Sequence, residues 1–206
     1  MTVRSRGRPR AYDPEQALDR ALHAFWKGGF SGTSLDALTE ATGMNRPSLY
    51  AGLGDKRTMY LKAMRHFQEH ARQEFAEALS PRSEDRSFAD VIARYLQTAI
   101  KVDGPQNNGT SGCAVISTAT AEALSDPEIQ QFLEQVLRGM DEQVRARLQT
   151  ARDNGEIAKD ADLEALVFLM TSSAHSIGIR ARAGEGKEEL ERKIAGLARS
   201  IFLSTQ

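Results

Sequence analysis

Apolar residues recur along this chain at every third or fourth position, the period of an amphipathic helix, in nearly every stretch between turn signals. Ala17, Leu18, Ala21, Leu22 and Phe25 share one face of a helix predicted over 14–27, with Asp13 as its N-cap and Gly28-Gly29 as its end. Leu35 and Leu38 predict a second helix over 34–41, where Thr33 followed by Asp36 has the capping-box form. Gly43 breaks the chain, and Asn45 caps a short third helix that ends at Gly52. Asp55 caps a long fourth helix over 56–79, and further helices are predicted over 88–101 and 113–124. Leu133, Val136, Leu137, Met140, Val144 and Leu148 carry a seventh over 127–154. An eighth covers 163–182 and a ninth 187–203. In the ninth, Leu190, Ile194, Leu197 and Ile201 recur at spacings of 4, 3 and 4, a seam suited to a helical bundle. No strictly alternating apolar stretch bounded by turns stands out, so the fold class is all-α, with about nine helices.

Composition agrees. Alanine and leucine outnumber valine and isoleucine by a wide margin, and each of the 6 prolines can stand before a helix or in its first turn. The 206 residues suffice to bury a real core, and 27% charged residues is ordinary for a folded protein. The single cysteine, Cys113, allows no intrachain disulfide and points to a reducing, cytoplasmic setting. No apolar run approaches the ~18 residues of a membrane span. The first ten residues hold Arg4, Arg6, Arg8 and Arg10 without an apolar stretch behind them, unlike a secretory signal. The one long loop-like stretch inside the chain is 103–112.

The segment TSLDALTEATGMNRPSLYAGL, residues 33–53, reads as a helix-turn-helix. Leu35 and Leu38 face inward from its first helix, Ala41 is small near the crossing, and Gly43 permits a left-handed backbone at the turn. Leu49 pins the short second helix. Its other face offers Asn45, Arg46, Ser48 and Tyr50, all able to hydrogen-bond, as a recognition helix in a major groove must.

Phe25, Gly29-Phe30, Thr33-Ser34, Leu38, Gly43, Leu49-Tyr50 and Lys56 resemble the signature of the tetracycline-repressor (TetR) family of transcriptional regulators. Gly52 and Leu53 depart from that signature, which has an aromatic residue or histidine and then phenylalanine there. Pro47 lies inside the recognition helix, early enough to be tolerated. The resemblance implies a DNA-binding domain over 1–58 and a ligand-binding and dimerisation domain over 59–206. It implies that Thr33 or Ser34, Tyr50 and Lys56 contact phosphates while Asn45, Arg46 and Ser48 face base edges, Arg46 suiting guanine. The arm RGRPR is similar to an AT-hook core, which implies that Arg6, Arg8 and Arg10 lie along a minor groove or its phosphates.

The resemblance further implies a pocket enclosed by helices four to seven and a homodimer formed by helices eight and nine, the latter through Leu190, Ile194, Leu197 and Ile201. Two recognition helices about one DNA turn apart would read a pseudo-palindromic operator. Candidate pocket residues are Phe67, Tyr95, Cys113, Phe132, Met140, Phe168 and His175, a set suited to a small, largely apolar or aromatic effector. Cys113 follows Gly112 at the predicted start of a helix, where amides favour thiolate. Its placement is similar to that of redox- or electrophile-sensing members of the family.

One stretch also matches an enzyme motif. His66-Phe67-Gln68-Glu69-His70 spells H-x-x-E-H, with both histidines on one helical face. A metallohydrolase would need a third ligand and a larger scaffold, so the expectation is a non-enzymatic regulator, a repressor, with no cofactor and no metal. The charge distribution fits. Residues 1–72 hold 12 Lys+Arg against 7 Asp+Glu and the remainder holds 15 against 21, so the formal net charge of −1 combines a basic head with an acidic body.

Overall fold

Short polar side chains start most of the helices. In the computed structural model, which describes residues 13–103 and 112–206, the elements are α1 (Pro14–Gly32), α2 (Leu35–Thr42), α3 (Arg46–Leu53), α4 (Lys56–Leu79), α5 (Phe88–Asp103), α6 (Ala114–Glu122), α7 (Pro127–Asp153), α8 (Leu163–Arg182) and α9 (Lys187–Leu203). Among the described residues these nine helices are the only regular elements. Asp13, Ser34, Asn45, Asp55, Asp126 and Asp162 each accept a backbone N–H from the first turn that follows, satisfying donors that have no partner inside the helix.

Most boundaries lie within one or two residues of the sequence reading, and three differences bear on the site. α1 continues past Lys27 to Gly32, interrupted at Gly29 (φ 71°, ψ 176°). Ser34, not Thr33, caps α2, because the Thr33 side chain turns inward. The sixth helix is shorter than expected and begins after Cys113, which is its N-cap residue.

α1, α2, α3 and the start of α4 form the head. Gly43 adopts φ 69° and ψ 13°, and its N–H donates to the Thr39 carbonyl at 3.0 Å, closing α2 and turning the chain into α3. Leu38, Leu49 and Phe25 are fully buried beneath that turn, and Phe25 meets the ring of Tyr60 edge-on at 5.3 Å. This core does not stop at the head. It continues through Met59, Met64 and Phe67 of α4 into Ala114, Val115 and Ala119 of α6 and Ile129, Phe132 and Val136 of α7.

A second core joins the far end of α4 to α5, α8, α9 and the later part of α7. Here the expected dimer seam is corrected. Leu190, Ile194 and Ile201 are buried against the protein's own body, and Leu197 packs on the same cluster. The 4-3-4 spacing had marked the inner face of α9, which a helix needs in order to dock on its own protomer. The outer faces instead leave Phe168, Leu169 and Ile179 of α8 and Leu203 of α9 exposed.

Candidate nucleic-acid interface and effector cavity

The polar candidates of the head stand on and around α2, α3 and the first turn of α4. Ser34 caps α2, its Oγ accepting the Ala37 N–H at 3.1 Å, so the hydroxyl proton remains available to an acceptor outside. Thr33 is corrected. It is only 3% exposed, and its hydroxyl donates to the Gly29 carbonyl at 2.6 Å, which stitches the end of α1 to the start of α2 and keeps it from any phosphate. Asn45 caps α3 through Oδ1, which accepts the Ser48 N–H at 2.9 Å. Its amide N–H groups are not used by this cap. Tyr50 is exposed, and Ser48 is half-buried.

Lys56, at the first turn of α4, lies with Nζ 4.8 Å from the centre of the Phe30 ring and 3.4 Å from the Ser31 carbonyl. The ammonium is thereby aimed across the end of α1. Arg46 places Nη2 2.7 Å from Asp36 Oδ1, and the carboxylate beside it raises its already high pKa. In the sequence Asp36 shows itself only as part of a cap. Arg6, Arg8 and Arg10 lie outside the described residues.

Four of the seven candidate pocket residues converge. Phe67, Cys113, Met140 and His175 line one narrow cavity of about 30 Å³, with Ala71, Gly139 and Gln143 among its other walls. The walls belong to α4, the start of α6, α7 and α8; α8 stands where α5 was expected. The remaining three are corrected. Tyr95 is buried in the second core against Phe75. Phe132 is buried in the first core beneath Arg65, whose guanidinium lies 5.0 Å from its ring centre. Phe168 is 72% exposed on the outside of α8. Aromatic character alone does not tell a cavity wall from a core or an outer face. Ala71, Gly139 and Gln143 carried no signal in the sequence because small or ordinary residues form a wall only through their placement.

His175 is half-buried, with Nε2 3.4 Å from Met140 Sδ. Burial lowers its pKa below the ordinary 6.5, against a weaker upward pull from Asp141. The neutral imidazole is thus favoured in the cavity wall.

Several contacts tie this cavity to the head. The Trp26 indole N–H donates to the Gly112 carbonyl at 2.8 Å, directly before Cys113. Gly112 has φ 76°, and a Cβ there would stand 2.8 Å from Arg182 Cβ, so only glycine fits. At the other end of α6, Glu122 accepts from the Ser31 hydroxyl at 2.9 Å, and Arg57 meets Asp126 at 2.6 Å. Between them the buried Tyr60 hydroxyl lies 2.7 Å from Thr118 Oγ1, and burial pushes the phenol up to about 12.

The H-x-x-E-H residues are used otherwise. His66 and His70 are exposed, and Glu69 accepts from Arg72 and Gln73, which lowers its pKa. Among the described residues no three metal-ligating side chains are placed to hold one ion. No helix among them is long and apolar enough to cross a membrane.

A helix-turn-helix head on a basic segment, tied to a helical body with an apolar cavity, defines a DNA-binding transcriptional regulator. The comparisons make this specific. The family model for bacterial regulatory proteins of the tetR family matches residues 17–63, and that for the tetracyclin-repressor-like C-terminal domain matches 86–197. The chain belongs to the TetR family, whose members are DNA-binding regulators rather than enzymes. It is 30% identical over 198 residues to the HTH-type transcriptional repressor ComR of Escherichia coli, covering 94% of this chain and 90% of that one. The uncharacterized HTH-type regulator YezE of Bacillus subtilis is 27% identical over 187 residues, covering 90% and 94%. A cysteine-substituted form of the TetR family regulator CifR, complexed with 26-bp operator DNA, superposes with a TM-score of 0.81 at 26% identity, covering 94% and 99%.

Proposed function

We propose that the protein is a cytoplasmic, homodimeric repressor whose hold on a pseudo-palindromic operator is released by a small, largely apolar or aromatic effector. The observation that carries this reading is the cavity between α4, α7 and α8, with Phe67, Met140 and Ala71 on its walls. Its walls stand close together, so a ligand must part α4 from α7 and α8. The head rides on α4 and on α6, and a shift there changes the separation of two reading heads in a dimer. The contacts of Trp26 with Gly112 and of Ser31 with Glu122 supply a path for that shift. The functional division falls near residue 58, with DNA contact before it and effector and partner contact after it.

The effector claim is tested by filling the cavity. A Cβ at Gly139 meets nothing within 4 Å, so Gly139→Val, small enough to occupy the gap without parting its walls, should fold and bind DNA. In a panel of uncharged aromatic compounds, those that raise the wild-type melting temperature should also release its DNA, and neither effect should appear in the variant. Release that persists unchanged in Gly139→Val would place the effector elsewhere.

The docking claim rests on Ser34, Asn45, Arg46, Ser48, Tyr50 and Lys56. Tyr50→Ala with Lys56→Ala should weaken operator binding about tenfold or more, as loss of two contacts to charged phosphates does. The slope of log affinity against log salt should become shallower through loss of the lysine contact. Unchanged affinity at physiological salt would show the docking to be wrong.

A second reading is favoured by one observation: Cys113 lines the same cavity at the start of α6, beside the carbonyl that holds Trp26. Addition of its thiolate to an activated alkene would wedge the α6 terminus from the head. Cys113→Ser, carried through the same panel, separates reaction at sulfur from simple occupancy.

A further inference from the structure

A carboxylate on the DNA-facing side of a reading head is out of place unless something is gained by it. Asp36 stands in the first turn of α2, the helix start that Ser34 caps and that the docking above brings toward a phosphate. Its own helix favours a negative charge there, but a phosphate repels one. Arg46 is the first residue of α3, ten positions later in sequence, and the turn at Gly43 brings the two side chains together. They meet through Nη2 and Oδ1 at 2.7 Å, with side chains 57% and 78% exposed. An ion pair that open to water contributes little to stability, so the fold does not account for it.

The geometry points to a specificity-determining pair, in which Asp36 holds the Arg46 guanidinium as a guanine reader. This rests on the docking proposed above. The guanidinium is a planar fork of five N–H donors, and its described hydrogen bond and ion pair both go to Asp36. The remaining donors match O6 and N7 of guanine in the major groove. Fixing the fork before docking removes part of the entropy cost of ordering a long side chain at the interface. The carboxylate also discriminates. Its lone pairs tolerate the N4 amino group of cytosine but repel the O4 of thymine, so a G·C pair is selected and an A·T pair disfavoured. Asp36 acts through Arg46 and is therefore a positioning residue, while Arg46 makes the base contact.

The experiment is selection from a randomised duplex library by the full-length protein, sequenced to give base preferences. It is paired with titration of one fixed duplex unrelated to the selected sites. Wild type should select a guanine in each half-site, and Arg46→Ala should erase it. Asp36→Asn should weaken that same preference about tenfold, the size of one lost bidentate discrimination. Because a negative charge is gone, it should at the same time bind the unrelated duplex more tightly. Opposite changes in selected and unrelated binding are not produced by a folding defect. If Arg46→Ala leaves the profile intact, the docking of Arg46 is overturned and the pair with it. If Arg46→Ala erases the guanine while Asp36→Asn preserves it, the docking stands and the inference about Asp36 fails. If Asp36→Asn weakens both duplexes together and lowers the melting temperature, Asp36 is a structural residue and the inference fails.

Discussion

Replacing Phe168 and Ile179 together with glutamate is expected to give a folded monomer whose operator affinity falls by about 10²–10⁴-fold. The two residues lie eleven positions apart on α8, three helical turns, and therefore share a face. Both are exposed in the single chain, with Ser172 and Ser176 between them on the same stripe. Large apolar residues flanking small ones make a surface on which a second helix can lie close. Neither residue touches the head or lines the cavity, so the change acts on the partner contact alone. A dimer binds two half-sites with the second contact nearly intramolecular, and a monomer loses that gain. Light scattering after gel filtration reads the mass, and titration of the selected duplex reads the affinity. A glutamate variant that remains dimeric would move the interface away from this stripe. A monomer that binds as tightly as wild type would remove the need for two heads.

The second large effect is on stability. Phe25→Ala should lower the unfolding free energy by about 3–5 kcal/mol, the range for a fully buried phenylalanine. The ring is 0% exposed and meets Tyr60 edge-on at 5.3 Å with planes at 86°. Its removal takes away the floor on which Leu38 and Leu49 hold the helix-turn-helix. Tyr60 cannot follow into the gap, because its hydroxyl is held by Thr118 of α6. Urea titration followed by circular dichroism reads the loss as a lower midpoint at unchanged slope. A drop below 1 kcal/mol would mean that the head collapses around the missing ring.

Much of this architecture was legible in the sequence, for physical reasons. α8 and α9 were placed to the residue, since Asp162, the turn around Gly184 and a clean apolar period mark their limits. The head was legible because a helix-turn-helix imposes several steric demands within about twenty residues, and Leu38, Gly43 and Leu49 meet them. What sequence could not decide was direction. Leu190, Ile194 and Ile201 form an apolar stripe whichever surface they cover, and spacing cannot say whether that surface belongs to the same chain or to another. Phe132, Tyr95 and Phe168 were equally suited to a cavity, a core or an outer face. Thr33 and Ser34 are adjacent hydroxyls, and only the path of the chain beyond Gly29 turns one inward and the other out. The Asp36–Arg46 pair spans a turn whose exact angle decides whether two side chains meet.

The continuous core that links the head to α6 and the start of α7 bears on how such proteins can be recombined. A head of this kind is not a detachable module. Excised at the middle of α4, it would bare Met59, Met64 and Phe67, while the remaining body would bare Val115, Ile129 and Val136. A chimera that grafts a new DNA specificity onto this body must therefore carry α6 along with α1, α2 and α3, or else confine itself to the outer face of α3. Evolution of new operators under the same constraint favours exchange of single surface side chains over exchange of whole domains.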